Sequence, residues 1–194
     1  MWVERSAHAA PEASVRVVPC PVCSCEDIDA ALSSVDTIWK VPRTVSHCRR
    51  CGLYFLDDMP SSDEIREWYN SDEAYAYGRI AGVLKQCFRE FRSRSQHRYV
   101  IERKGAPAGG RVLEVGACEG RLLRLFRPSE LVGLEYSVAY GTYAKRKFGI
   151  VLQPRDIFEL DGAFDLIVMS HVLEHFPDIH RVMAKVKQLL RPGG

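Results

Sequence analysis

From residue 111 to the end of the chain, the apolar positions switch between two spacings. Mostly apolar runs at residues 111–116, 131–135, 150–153 and 164–169 predict short strands buried on both faces. Between them the spacing is helical. Leu122, Leu123, Leu125 and Phe126 predict a helix over 119–127 that ends at Pro128, and a second helix over 138–148 closes at Gly149. After Pro177, a helix buries Ile179, Val182, Met183, Val186, Leu189 and Leu190. Alternating strands and helices predict an α/β class: a Rossmann-like, doubly wound parallel sheet of four strands with right-handed crossovers. Ligands of such sheets bind at the carboxyl ends of the strands.

Upstream the pattern is looser. Residues 1–16 have no clear period and read as a flexible arm. Residues 17–59 hold two cysteine pairs with short strands between and after them, at 37–41, 44–46 and 53–56, the layout of a small zinc ribbon. Residues 60–107 predict a helical linker. One helix starts at Pro60 and Ser61 with Ile65, Trp68 and Tyr69 on one face, and a turn follows at Tyr75, Tyr77 and Gly78. The segment 83–104 places Leu84, Cys87, Phe88, Phe91 and Tyr99 at helical spacing, opposite Lys85, Arg89, Arg92, Arg94, Arg98, Arg103 and Lys104. A nucleic-acid surface and a helix packed by its aromatic face are both open to such a segment. Near-balanced charge over the whole chain favours the second, with the arginines in solvent.

Composition narrows the class. With 46% apolar residues, 10% aromatic and a net charge of +2, the 194-residue chain fits a globular protein and excludes a disordered tail. No window approaches membrane-spanning length, and the first 19 residues lack a signal-peptide core, so a cytoplasmic protein without a membrane or nucleic-acid partner is expected. Seven cysteines then need an account. Cys20-x-x-Cys23 and Cys48-x-x-Cys51, with 24 residues between, present four thiolates for one tetrahedral Zn²⁺. Four protein ligands leave no open position, so the zinc is expected to be structural. Arg49 and Arg50 would offset part of its negative charge, and Cys25 and His47 are near enough to substitute as ligands.

Gly116 and Gly120 bracket a tight turn between the first strand and its helix, a cradle of backbone amides for a small ligand. Nineteen residues after Gly116, Glu135 ends the second strand; it either meets ribose hydroxyls or caps the helix near Ser137. VLEVGACEG, GLEYS, FDLIVMSHVLEHF and LLRPGG, in this order over residues 108–194, resemble class I S-adenosylmethionine-dependent methyltransferases. Here Cys118 stands where that family usually has its middle glycine.

The resemblance implies that Glu114, Gly116, Ala117, Cys118 and Gly120 hold the methionine part of S-adenosylmethionine. Glu135 would hold the ribose, Asp156 and Ile157 would flank the adenine, and Ser170 and His171 would lie beside the sulfonium. His171, Glu174 and His175 are the candidate bases, with a loop-stabilising role equally open to the last two. A small-molecule or sugar-type acceptor is expected. A dinucleotide oxidoreductase is rejected, since Cys118 and Arg121 occupy its glycine positions. A non-catalytic scaffold remains the alternative. The chain stops before the family's fifth strand, so the expectation is a truncated methyltransferase whose fourth strand is an open edge inviting self-association.

Overall fold

The computed structural model describes residues 18–36, 40–71, 83–105 and 109–194, and the chain divides into two compact units between Asp58 and Met59. The expected arm, the turn at Tyr75, Tyr77 and Gly78, and most of the expected strand 37–41 lie outside the described residues.

The first unit contains an antiparallel sheet in the order β1 (Ile28–Val35), β2 (Pro42–Cys48) and β3 (Tyr54–Leu56). The expected strands at 44–46 and 53–56 fall within β2 and largely within β3. β1 is an addition. Its residues are mostly exposed and its sequence shows no apolar alternation, so register with β2 (Ile28 opposite Cys48, Val35 opposite Pro42) defines it.

In the second unit a parallel sheet runs β5 (Glu130–Leu134), β4 (Arg111–Val115), β6 (Leu166–Met169). Both faces are covered. Leu113, Val115, Val132 and Leu134 pack toward the helix Ile179–Leu189 (α4, numbered with the helices below), through Val182, Val186 and Leu189. Val112 packs on the opposite side with Leu123, Phe126, Ala144 and Ile150. Gly133 has no room for a side chain there, because a Cβ would lie 2.7 Å from Leu123 and 2.4 Å from Leu152.

Two expected elements are reduced. The expected strand 150–153 is a single bridge: Gln153 N–H donates to Gly133 O (2.8 Å) and Glu135 N–H donates to Gln153 O (3.0 Å). Pro154 has no N–H with which to extend that ladder. The expected helix 119–127 is only a 3₁₀ turn, Leu123–Phe126, because Cys118 (φ 47°) and Gly120 (φ 69°) are left-handed and cannot sit inside an α-helix. Among the described residues β6 has one paired neighbour, β4, with a lone bridge from Phe164 to Leu190 beside its start.

Three more helices complete this unit. α1 (Ser62–Tyr69) carries a capping box between Ser61 and Glu64, and α2 spans Val83–Lys104. α3 (Val138–Phe148) is opened by the Ser137 side chain and closed by left-handed Gly149.

α2 has the expected bounds and the opposite facing. Leu84, Phe88, Phe91 and Tyr99 are 87%, 63%, 67% and 58% exposed, so the aromatic stripe does not pack on the sheet. The face turned inward is mostly polar. Arg89 pairs with Glu119 (2.5 Å), Glu90 with Arg124 and Arg121, and Gln86 accepts from Arg121. Gln96 donates to Ser170 (2.6 Å), and His97 lies edge-on to Phe126 (4.8 Å). Only Val100 and Ile101 join the apolar cluster behind β4. Half-buried ion pairs to the glycine loop therefore set the rotation of α2.

Candidate functional site: two adjoining cavities at the glycine turn

β4 delivers Glu114 and Val115 to the carboxyl edge of the sheet, and the chain then turns at Gly116 (φ 66°). A Cβ at Gly116 would stand 2.4 Å from Val172 Cγ2, so only glycine lets the turn approach the loop after β6 this closely. Two cavities open on either side of this turn, and Gly116 and Cys118 line both.

The first cavity, about 190 Å³, is floored by Glu114, Gly116, Ala117 and Cys118 and roofed by Arg89, Arg92, Ser93 and Gln96 of α2, with Ser170 at one side. Glu114 is 5% exposed, and its Oε2 has no hydrogen-bond partner. Burial pushes its carboxyl up to about 8; the Leu123 N–H opposes this and the nearby Glu135 charge adds to it. A buried, incompletely hydrogen-bonded carboxyl lining a cavity suits a cationic ligand group.

The second cavity, about 100 Å³, is lined by Val115, Glu135, Asp156, Ile157, Tyr136 and His175, with Ile65 and Tyr69 of α1 among its walls. Glu135 accepts N–H bonds from Cys118 (2.8 Å) and Ser137 (2.8 Å), one on each oxygen. It thus ties the glycine turn to the start of α3 while keeping lone pairs toward the cavity. Burial raises its pKa, against the pull of these N–H groups. Asp156 accepts from Tyr136 O–H (2.9 Å) and Phe158 N–H (3.1 Å), which orients Ile157 beneath the cavity.

Cys118 holds a left-handed conformation that costs a residue with a Cβ about 1 kcal/mol or more. It borders both open cavities, yet the chain packed around it, with the charge of Glu135, pushes its thiol up to about 12. It stays neutral at physiological pH. Cys118→Gly is expected to stabilise the fold by about 1 kcal/mol in urea titrations, by relieving this conformation. A loss of stability would show that thiol packing outweighs it.

The structure does not bring every expected residue to a cavity. Gly120 lines neither; its place is set by its φ of 69° and by Ala144, 3.4 Å from where a Cβ would be. His171 (φ 54°) and Glu174 also line neither: they are an exposed pair, Nδ1 to Oε1 3.7 Å. His175 lies apart from them, in the second cavity, edge-on to Tyr69 (6.2 Å). The roof residues Arg89, Arg92, Ser93 and Gln96 were not expected here. Their helical spacing marks a single face, but polarity alone reads as a solvated one.

In the first unit, the sulfurs of Cys20, Cys23, Cys48 and Cys51 all lie within 4.8 Å of one another, with 3.6 Å separating Cys20 from Cys51 and Cys23 from Cys48. A tetrahedron of Zn–S bonds of about 2.3 Å sets sulfurs roughly 3.8 Å apart, so this donor set fits a zinc ion. Two matching knuckles build it. Ser24 and Gly52, both left-handed, donate to Cys20 O (2.9 Å) and Cys48 O (2.8 Å), while Cys20 and Cys48 donate to Cys25 O and Leu53 O. Cys25 and His47 are outside the group: the Cys25 sulfur accepts from Asp27 N–H, and His47 stacks on Tyr54. Arg49 faces carboxylates, in a two-bond pair with Asp29 (2.6 Å each).

The fold, the glycine turn and the acid at the tip of β5 define a class, and sequence comparison agrees. Residues 85–194 match the family described as Methyltransferase domain, and the chain belongs to that family. It is 29% identical over 107 residues to the ubiquinone/menaquinone biosynthesis C-methyltransferase of Desulfotalea psychrophila, a match covering 50% of this chain and 44% of that protein. It is 29% identical over 106 residues to the ubiquinone biosynthesis O-methyltransferase of Chromobacterium violaceum, covering 48% and 45%. The chain thus spans less than half the length of these relatives. Its fold is also that of magnesium protoporphyrin IX methyltransferase from Synechocystis PCC 6803, solved with bound SAM (TM-score 0.52, 19% identity, 68% of this chain and 71% of that one).

Proposed function

We propose that the chain binds S-adenosylmethionine across the two cavities and takes part in methyl transfer to a small-molecule acceptor. One observation carries this reading: Glu114, a buried carboxyl with one unpartnered oxygen, lines a cavity roofed by Arg89 and Arg92. Carboxylate below and guanidinium above suit an α-amino acid, whose ammonium and carboxylate they would meet. Glu135, already oriented by two N–H groups, offers its remaining lone pairs to the ribose, and Ile157 with Asp156 walls the adenine. When bound, S-adenosylmethionine supplies an electrophilic methyl group and its own leaving group.

The protein's part is alignment and exclusion of water. The neutral Cys118 thiol beside the turn does not compete as a nucleophile. The exposed His171–Glu174 pair is the candidate base for an acceptor that must lose a proton, while His175 serves as a cavity wall. The relatives' names, in quinone biosynthesis, support a small organic acceptor and include both C- and O-methylation. The acceptor range extends in this reading to sugar-type hydroxyls. Zinc, held by Cys20, Cys23, Cys48 and Cys51, has a structural role only.

Calorimetry with S-adenosylmethionine tests the reading. Glu135→Ala is expected to weaken binding by roughly 1.5–3 kcal/mol, the worth of hydrogen bonds to a charged group. Unchanged affinity in that variant would remove Glu135 from the site, and tight binding of a nicotinamide dinucleotide would overturn the assignment. A binding scaffold without turnover is a second reading, favoured by Cys118 at the strained position. Cofactor binding without methyl transfer to any quinol or sugar acceptor would select it.

A further inference from the structure

α2 turns its polar face inward and leaves Leu84, Cys87, Phe88 and Phe91 as one exposed stripe at i, i+3, i+4 and i+7, with Tyr99 continuing it two turns on. Exposed cations border this stripe on both sides. Lys85 and Arg103 follow one edge and Arg94 and Arg98 the other, and the Arg103 guanidinium lies 5.0 Å from the Tyr99 ring centre. Arg94 and Arg98 also hold exposed pairs along the helix, with Glu90 (2.9 Å) and Glu102 (2.7 Å). The helix carries seven Lys and Arg against two acidic residues, Glu90 and Glu102, a net charge of +5. The chain as a whole carries only +2, so this one helix concentrates the positive charge.

We infer that this face of α2 docks on an anionic lipid surface. The helix lies along the membrane plane, Leu84, Phe88 and Phe91 enter the headgroup boundary, and the flanking cations meet lipid phosphates. Charge selects this occupant. A second copy of the chain would bring two +5 helices face to face, whereas an acidic bilayer satisfies stripe and flanks together. Spanning is excluded for this helix, since no described helix is long and apolar enough to cross a membrane. The expectation of no membrane partner rested on spanning length and on the lack of a signal-peptide core, neither of which bears on a helix lying at a surface. Docking of this kind leaves the inward face, with Arg89, Ser93 and Gln96 on the first cavity, untouched.

Cosedimentation of the whole chain with phosphatidylcholine vesicles, with and without phosphatidylglycerol, tests this. Binding is expected only with phosphatidylglycerol and is expected to fall as salt is raised. Phe88→Ser with Phe91→Ser, at exposed positions, is expected to cut partitioning about tenfold or more. Arg94→Gln with Arg98→Gln keeps the whole stripe and is expected to lower binding to a similar degree, about tenfold. Circular dichroism of both variants checks that the helix persists. No binding to the anionic vesicles, or equal binding by the well-folded phenylalanine variant, overturns the proposal. So does a wild-type dimer in sedimentation that the phenylalanine variant abolishes, since a second copy would then be the occupant.

Discussion

Chelating the metal from the first unit, or replacing Cys48 by serine, is expected to melt β1–β3 and leave the second unit folded. Up to Asp58, the only buried described residues are Cys20, Ser46 and Cys48, and two of these belong to the four-cysteine cluster. Leu32, Val35 and Tyr54 are each more than 60% exposed, so apolar burial contributes little to this sheet. Small zinc domains draw about 10 kcal/mol or more from the metal at neutral pH, enough to decide between folded and unfolded. Elemental analysis of purified protein should give about one zinc per chain, the stoichiometry of a single four-ligand site. Amide exchange should then show loss of protection in β1–β3 on chelation, with β4–β6 unchanged. Full protection in metal-free protein would mean that something other than the metal holds the knuckles.

The fold of the second unit was legible where local chemistry and tertiary structure agree. α3 has the bounds read from Ser137 and Gly149, because a cap and a left-handed stop act within one turn. The bounds of α2 were likewise set by its periodicity, but its rotation was not. Periodicity finds two faces and cannot say which one meets the protein when ion pairs outweigh apolar packing. Here Arg89 reaches Glu119 and Glu90 reaches Arg124, partners 30 and 34 residues away. That reversal also hid half of the first cavity, since Arg89 and Arg92 were counted with the solvated side and Ser93 and Gln96 were assigned to neither face. The turn after β4 was misread for a related reason: Leu122–Phe126 has helical spacing, while the left-handed Cys118 and Gly120 delay any helix. β1 carried no apolar alternation at all, and a strand defined by its partner is invisible to a reading of its own residues.

Glu114→Gln is expected to flatten the pH dependence of both stability and cofactor binding. In the folded protein the Glu114 carboxyl titrates near 8, against about 4.5 for an unhindered glutamate, because burial leaves its charge unsolvated. Between those values the folded chain holds a proton that the unfolded chain has released. Stability therefore falls as pH rises from about 5 to 8, by at most about 1.4 kcal/mol per unit for one proton. Above 8 both states are ionised and this loss is complete. A cationic ligand group reverses the balance, since the ammonium of S-adenosylmethionine against Glu114 favours the carboxylate. Affinity should then rise by up to about tenfold per pH unit below 8 and stop rising above it, where the ligand's own α-ammonium begins to lose its proton. Glutamine has no charge to desolvate, so the variant should be the more stable protein at pH 8 yet bind weakly at every pH. Urea titrations and calorimetry between pH 5 and 9 measure the two slopes on the same samples. If the wild type and Glu114→Gln share one affinity slope, the ammonium does not bind at Glu114, and the amino-acid end of the cofactor must lie elsewhere in the cavity.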